Sequence, residues 1–173
     1  MPIFRPAAFA LGAALLAASA AAQDNVPATV GSFAGWTVYM MPDGARDACY
    51  AVASPSRPDA ADANRHKPNL MVTHRPGEKI YNVVSVDLGT DLPANGSADV
   101  AIGRTSFDFF TKDHTAWSRD ADTDKAVVTA MAAGNEFAIK AKLPKGRVLA
   151  DTYSLQGFSQ ALAALDKACK YRR

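Results

Sequence analysis

The sequence contains few residues of the kinds that build catalytic or metal centres. Only two cysteines and three histidines occur among 173 residues. His66, His74 and His114 stand alone, with no zinc-binding spacing between them. The nucleophile elbow G-x-S-x-G of serine hydrolases is also missing. A formal net charge of only +2 gives no overall attraction to nucleic acid. We therefore expect no catalytic residue, no metal, no cofactor and no nucleic-acid partner.

Long hydrophobic runs are also scarce. Arg5 precedes one apolar run, Ala7 to Ala20, and Ala20-Ala21-Ala22 supply the small residues that a signal peptidase needs. The run is about 14 residues long, whereas a bilayer-spanning helix takes roughly 20. These features predict a signal peptide over residues 1–22, cleaved before Gln23. The mature chain is expected to have no transmembrane segment and to work in the periplasm, at the cell surface or as a secreted protein.

The two cysteines predict a disulfide bond. An exported chain meets an oxidising compartment, in which a pair of cysteines is more often bridged than free. Cys49 and Cys169 allow one intramolecular pairing, and they are too far apart in sequence for a redox motif of the C-x-x-C kind. We expect a structural Cys49–Cys169 bond.

Short segments of alternating polar and apolar residues follow a tether over residues 23–32. Period-two alternation is typical of strands with one buried face, and Pro76-Gly77 and Asn95-Gly96 mark turns between them. Trp117 is interpreted as a core anchor. Strands are predicted over residues 33–41, 48–53, 70–75, 80–88, 99–103, 105–111, 115–118, 137–143 and 148–153, and residues 54–69 form the longest loop.

Two segments have helical spacing. Residues 124–133 predict a short helix. At the end of the chain Phe158, Leu162, Leu165 and Cys169 form one stripe of a second helix, with Ser154 as its N-cap. Residues 33–173 are therefore predicted to be a single β-rich domain. Its fold class is mainly β, an antiparallel β-sandwich or barrel-like sheet with a C-terminal α-helix.

Basic residues are concentrated late in the chain, whereas the middle is acidic. In a folded domain these two stretches could form faces of opposite sign. A basic face would suit an anionic envelope or host component, and an ordinary solubilising surface is the alternative. The candidate contact residues are Lys140, Lys142, Lys145 and Arg147, joined by Arg57, Arg65 and Lys67 from the long loop.

Two further patterns in the sequence are candidates for chemistry. Asp120, Asp122 and Asp124 have the first spacings of a calcium loop, but Lys125 and Met131 stand where that motif needs Gly and Glu. The alternative is a solvated loop. Scattered Asp, Ser and His side chains such as Asp151 and Ser154 could assemble into a hydrolase site, although no local motif selects them. His74 is interpreted as a packed strand histidine.

Five runs of residues stand out along the chain. They are Gly35-Trp36-Thr37-Val38, Leu70-Met71-Val72-Thr73-His74-Arg75-Pro76, Phe107-Asp108-Phe109-Phe110-Thr111 with Ala116-Trp117, Val128-Thr129-Ala130-Met131, and Asp151-Thr152-Tyr153-Ser154-Leu155 with Gly157-Phe158, Ala161-Leu162 and Cys169. Together these runs resemble the invasion-associated locus B family, exported proteins of Gram-negative bacteria. The resemblance covers residues 31–169, and its most specific part is the last block.

This resemblance implies a signal peptide, a β-rich domain, a cysteine pair that brackets the domain, and a place in the cell envelope. It brings no catalytic site with it. One departure is Ala132-Ala133, where the family has a basic residue before Gly134. The function expected is therefore a non-enzymatic envelope binding or accessory protein, linked to host-cell interaction by the family name. An envelope hydrolase is the alternative.

Overall fold

The computed structural model describes residues 26–41, 47–59 and 65–173, and within them it contains ten strands and two α-helices. The predicted signal peptide lies outside the described residues. The strands are β1 (Ala28–Phe33), β2 (Trp36–Met41), β3 (Ala48–Ala53), β4 (Asn69–Arg75), β5 (Ile80–Asp87), β6 (Ser97–Ile102), β7 (Thr105–Lys112), β8 (Thr115–Trp117), β9 (Glu136–Lys142) and β10 (Val148–Ser154). The helices are α1 (Ala121–Ala133) and α2 (Phe158–Ala168).

All ten strands belong to one sheet in the order β1-β2-β3-β4-β5-β8-β7-β6-β9-β10, and every neighbouring pair is antiparallel. The mainly β class and the C-terminal helix are confirmed. The expected antiparallel arrangement is confirmed as one continuous sheet of ten strands. That sheet is not closed into a barrel.

The two ends of the sheet are nevertheless linked through the chain segment after β3. Arg57 and Thr152 form an isolated antiparallel bridge, with Arg57 N donating to Thr152 O over 3.1 Å and Thr152 N donating to Arg57 O over 3.0 Å. The Trp36 indole N–H also donates to Ser154 O at 3.1 Å. These bonds draw β10 towards the β2–β3 region and enclose one face of the sheet.

The enclosed face, called here the inner face, carries the core. Alternation places every second side chain of a strand there. In β4, for example, Leu70, Val72 and His74 are all fully buried, while the residues between them are only half-buried. Both helices cover this core. Val127, Val128 and Met131 of α1, and Phe158, Ala161 and Leu165 of α2, are buried.

Helix α2 packs on β1, β2 and β3, and its first residue anchors it. The Phe158 ring lies 4.8 Å from the Trp36 ring. The helix begins later than predicted, because Ser154 is the last residue of β10 and Gly157 is the N-cap. Gly157 has a φ of 84°, and a Cβ there would lie 2.4 Å from Phe33 O. Only glycine suits this left-handed turn against β1.

The beginning of the domain differs from the predicted boundaries. Ala28–Phe33 forms β1 and pairs with β2, so the second half of the segment assigned to a tether is an edge strand. Ala34, with a φ of 51°, and Gly35 then turn the chain. This turn divides the predicted strand over residues 33–41 into two. The alternation of β2 was visible in the sequence, whereas the small residues before it gave no comparable signal.

Candidate functional site

The predicted disulfide bond joins Cys49 of β3 to Cys169, the residue after α2. The two Cα atoms are 5.9 Å apart and the residues are 120 positions apart in sequence. Cys49 is fully buried and Cys169 almost so, because both face the core. The bond fastens the end of α2 to the inner face of the sheet.

His74 lies beside this bond, directly opposite Cys49 across the β3–β4 pair. Its side chain is fully buried, and both ring nitrogens are engaged. Nδ1 accepts from Asn82 N at 3.0 Å, so Nε2 carries the proton and donates to Asp166 Oδ1 at 2.9 Å. Asp166 also accepts from Arg173 at 2.6 and 2.9 Å. With its acceptor nitrogen occupied by a backbone N–H, His74 cannot take a proton from a nucleophile.

Arg65, near the end of the long loop, and Asp151 of β10 form a buried ion pair. The Arg65 side chain is 4% exposed and that of Asp151 is 0%, and two guanidinium-to-carboxylate bonds of 2.6 Å join them. Asp59 N adds a third bond to Asp151 at 2.7 Å. Bonding to Asp151 is the main cause that raises the pKa of Arg65. Burial raises the pKa of the neighbouring Tyr153. Arg65 was predicted to contact an anionic partner, and this prediction is wrong because the side chain is buried against its own carboxylate.

The other predicted contact residues are only partly available. Arg57 is exposed but donates to both carboxylate oxygens of Glu136, at 2.8 and 2.9 Å. Arg147 lies 3.8 Å from Asp59. Lys140 is exposed on β9, directly opposite Asp99 of β6. The exposed residues Lys67, Lys142 and Lys145 complete the set.

Acidic and basic side chains therefore alternate in space. Besides the pairs above, Arg119 donates to Asp108 and Arg173 to Asp166. Acidic and basic side chains share one region of the sheet, because Asp99 of β6 lies opposite both Lys140 of β9 and Asp108 of β7. A role for the exposed lysines in binding an anionic component stays a prediction.

The three aspartates at calcium-loop spacing lie at the beginning of α1 and do not converge. Asp120 is the N-cap and accepts from Thr123 N at 2.7 Å, which lowers the pKa of its carboxyl. Asp122 is exposed. Asp124 is buried, accepts from Val84 N at 2.7 Å and from Ser118 Oγ, and its pKa is raised chiefly by burial. These aspartates serve the helix and its contact with β5.

His66 and His114 form a second cluster, at the end of the long loop. Their rings meet edge to face with centroids 5.2 Å apart. His66 lies 3.6 Å from Asp87, and His114 lies 3.2 Å from Asp91. Throughout residues 26–41, 47–59 and 65–173 no three His, Cys, Asp or Glu side chains are arranged to hold a metal ion.

A groove on the outer face of the sheet is the best candidate for a binding site. It crosses β4, β5 and β8 and has a volume of about 250 Å³. Its apolar floor combines with hydroxyl, amide, carboxylate and guanidinium groups. The lining residues are Asn69, Met71, Thr73, Arg75, Val83, Ser85, Asp87, Thr115 and Trp117.

Strand pairing explains this grouping. Met71 of β4 lies opposite Ser85 of β5, and Ser85 lies opposite Trp117 of β8. Asn69 and Asp87 form the next pair of the same face. Trp117 was interpreted as a core anchor, and this is wrong, since Ala116 is the residue of β8 that is fully buried. The alternation of β4 could have predicted an outward row, but the pairing of β5 with β8 could not be inferred from local sequence.

Two atoms in the groove lack partners. Asn69 Oδ1, an acceptor, and Arg75 Nε, a donor, are buried atoms without a hydrogen bond to any residue that the structure describes. Asp87, by contrast, is held in place by Gly89 N, which donates to Oδ1 at 2.8 Å. The groove thus offers a partly fixed set of polar groups around an aromatic side chain, and no cysteine or histidine lines it.

Comparisons with known proteins agree with the resemblance found in the sequence. The family model described as "Invasion associated locus B (IalB) protein" matches residues 36–166. Two chains of solved structures match. One is the crystal structure of invasion associated protein B from Bartonella henselae, with 13% sequence identity and a TM-score of 0.57, covering 83% of this chain and 99% of that chain. At this identity the likeness concerns the fold. No curated protein matches the sequence.

Proposed function

Because the chain belongs to the invasion associated locus B (IalB) family, we propose that it is an exported, non-enzymatic binding or accessory protein of the bacterial envelope. It acts in the periplasm or at the cell surface after removal of residues 1–22. Host-cell interaction belongs to the same proposal, since the related Bartonella henselae protein is called invasion associated. Within the described parts of the chain, no helix is long and apolar enough to cross a membrane.

One observation carries the binding function. Two of the side chains that sequence analysis considered for chemistry, His74 and Asp151, have structural partners and do not line the open groove. His74 is locked between Asn82 N and Asp166, and Asp151 is locked by Arg65. An enzyme site needs a base within reach of a nucleophile in a cleft. A shallow groove with an aromatic side chain and several polar groups suits recognition better.

The hydrolase alternative would require Asp, Ser and His side chains to converge. Ser154 and Asp151 both belong to β10, but Asp151 faces the core and carries Arg65. Ser154 Oγ accepts from Gln156 N at 3.2 Å. No histidine is bonded to either residue in the described structure, so Asp151 and Ser154 do not form a hydrolase site.

Export is tested first. A strain expressing the full chain should deliver a protein whose intact mass begins at Gln23, or at the pyroglutamate that Gln23 forms. A variant lacking residues 2–22 should remain in the cytoplasm. Recovery of the full-length chain from the envelope, with residues 1–22 attached, would contradict cleavage.

Binding is tested with purified mature protein and envelope fractions. Labelled protein should sediment with envelope material in a saturable manner and be displaced by unlabelled protein. A Trp117→Ala variant should bind less, whereas Tyr39→Ala, which removes an outward aromatic of β2 outside the groove, should bind as the wild type does. Turnover of ester, glycoside or phosphate substrates by the wild type, lost on Asp151→Asn or Ser154→Ala substitution, would favour the hydrolase instead.

A further inference from the structure

We propose that the groove across β4, β5 and β8 binds a short run of neutral sugar units of an envelope glycan. This inference rests on the proposed binding function and names its ligand class. Three features of the groove carry it: the half-buried indole of Trp117, two unpaired hydrogen-bonding atoms of opposite kind, and the balance of its charges.

Trp117 supplies an apolar surface. Its side chain is half-buried and faces outward from β8, between Ser85 of β5 and Phe110 of β7. Phe110 is 36% exposed. The face of an aromatic ring is electron-rich and attracts the weakly positive C–H groups that one side of a sugar ring presents. Met71 and Val83 extend the apolar surface along the groove.

The unpaired atoms select a ligand with hydroxyl groups. Asn69 Oδ1 needs a donor, and Arg75 Nε needs an acceptor. A hydroxyl group supplies both roles, so different sugar units of one neutral glycan can satisfy the two atoms, whose residues lie at opposite ends of β4, roughly 20 Å apart along the strand. A hydrocarbon chain would satisfy neither atom, and a phosphate without a proton would satisfy only Arg75.

The charges of the groove favour an uncharged ligand. Arg75 Nε lies 3.7 Å from Glu78, so the guanidinium already has a counter-charge. At the other end Asp87 lies 3.6 Å from His66 and accepts from Gly89 N. Its carboxylate suits a donating hydroxyl and repels an anion. A neutral saccharide therefore complements the groove better than an acidic glycan does.

The chain offers a direct probe of this site. It has two tryptophans, and Trp36 is 0% exposed in the core. Ligand contact should therefore change the fluorescence of Trp117 alone. Titration of the mature protein with tri-N-acetylchitotriose, a neutral fragment resembling envelope glycans, should give a saturable change. In the Trp117→Phe variant this signal should disappear, while calorimetry should still detect weakened binding.

Variants locate the site. Asn69→Ala and Trp117→Ala should each weaken chitotriose binding about tenfold, the change that a loss of one hydrogen bond or one stacking contact brings. Tyr39→Ala should leave it unchanged. Circular dichroism and thermal melts of each variant establish that it is folded. If Trp117→Ala fails to fold, Trp117→Phe and Asn69→Ala carry the test.

The outcomes separate the two proposals. Envelope binding that persists in a protein unable to bind chitotriose or other neutral envelope saccharides overturns the saccharide ligand and leaves the binding function standing. If the wild-type protein binds neither the envelope nor a neutral saccharide, both proposals are overturned. Saccharide binding that Asn69→Ala and Trp117→Ala do not weaken overturns the site. Binding confined to acidic saccharides, or to lactose-based glycans of host cells, overturns the ligand class or its source.

Discussion

The histidine and the aspartate that the inner face buries are fully bonded, although the buried Tyr153 Oη has no hydrogen-bond partner among the residues described, and two groove atoms of the outer face have none either. On the inner face, His74 has both nitrogens bonded, and Asp151 receives three bonds at its two oxygens. On the outer face, Asn69 Oδ1 and Arg75 Nε have no hydrogen-bond partner among the residues described, although Arg75 Nε lies 3.7 Å from Glu78. Burial makes an unpaired polar atom costly. The inner groups are therefore tied to the stability of the fold, whereas the outer groups are available to a ligand.

This difference separates stability from binding. Substitutions on the inner face should lower the free energy of unfolding through named contacts. Substitutions of exposed outer residues should change binding and leave the fold intact.

Loss of the Arg65–Asp151 ion pair should cause the largest fall in the free energy of unfolding. Asp151→Ala leaves the Arg65 guanidinium buried without its carboxylate and should lower the free energy of unfolding by about 3–5 kcal/mol. Urea unfolding monitored by circular dichroism measures the loss. Both side chains are almost fully buried, so little solvent screening reduces this effect.

A double-mutant cycle controls this prediction. The variant Arg65→Met, Asp151→Leu replaces both charges by apolar groups and should be less destabilised than the sum of the single changes. Additive losses would show that the two side chains do not interact, and that the inner face is held by packing alone.

Loss of the disulfide bond should cause the next largest fall in the free energy of unfolding. Cys169→Ala removes a closure of 120 residues and should lower the free energy of unfolding by about 2–4 kcal/mol. The double variant Cys49→Ala, Cys169→Ala lacks the same bond as the single variant. Its stability should therefore differ from that of the single variant only by the effect of removing the Cys49 thiol. Both thiols should resist alkylation in unfolded, unreduced wild-type protein. Labelling of both would contradict the bond.

The contributions of Asp120, the N-cap of α1, and of Asp124 within α1 to stability should change with pH in opposite directions. The pKa of Asp124 is raised above its ordinary value of 3.8, chiefly by burial. Its contribution to stability is therefore fully present below 3.8 and is lost as the pH rises through the raised pKa. The pKa of Asp120 is lowered from 3.8 by the Thr123 N–H. Its contribution is present above 3.8 and is lost as the pH falls through the lowered pKa.

Asparagine variants make this contrast measurable. As the pH rises from 3 to 7, the stability of Asp124→Asn should increase relative to that of the wild type, because the variant avoids a buried charge. Over the same range Asp120→Asn should lose stability relative to the wild type, because it lacks the charge that favours the helix N-terminus. Parallel pH profiles for the two variants would refute the assignment of one aspartate to the interior and the other to the surface.

Local patterns in the sequence predicted the elements well where burial alternates regularly. Residues 137–143 gave a strand, and Phe158, Leu162 and Leu165 gave one face of a helix, because core contact imposes these periods. The disulfide followed from compartment chemistry. Ser154 was misplaced as an N-cap because a hydroxyl before an apolar run is a common cap, whereas Gly157 was selected by its close approach to Phe33 O.

The candidate site could not be predicted in the same way. Arg65 and Asp151 are 86 positions apart, and the local sequence around either residue does not predict a contact with the other. The groove depends on β5 pairing with β8 rather than with β6, which places Trp117 beside Ser85. Side chains from distant strands meet through the order of the sheet, and this order is a property of the whole fold.

The smallest expected effect concerns the exposed lysines of β9. Lys140 and Lys142 point outward from one strand, but Lys140 lies opposite Asp99, so the local positive charge is partly offset. A Lys140→Glu, Lys142→Glu variant should reduce binding to anionic phosphatidylglycerol vesicles at low salt. It should change stability by no more than about 0.5 kcal/mol. Above about 0.1 M salt the difference should fade, because the screening length drops to about 10 Å.

A control variant, Arg104→Glu, Lys125→Glu, changes the net charge by the same amount at exposed positions away from β9 and should bind as the wild type does. Equal loss in both variants would assign the attraction to net charge, and equal binding by β9 variant and wild type would remove the lysines from any docking surface. A large loss of stability in the β9 variant would break the division between the two faces.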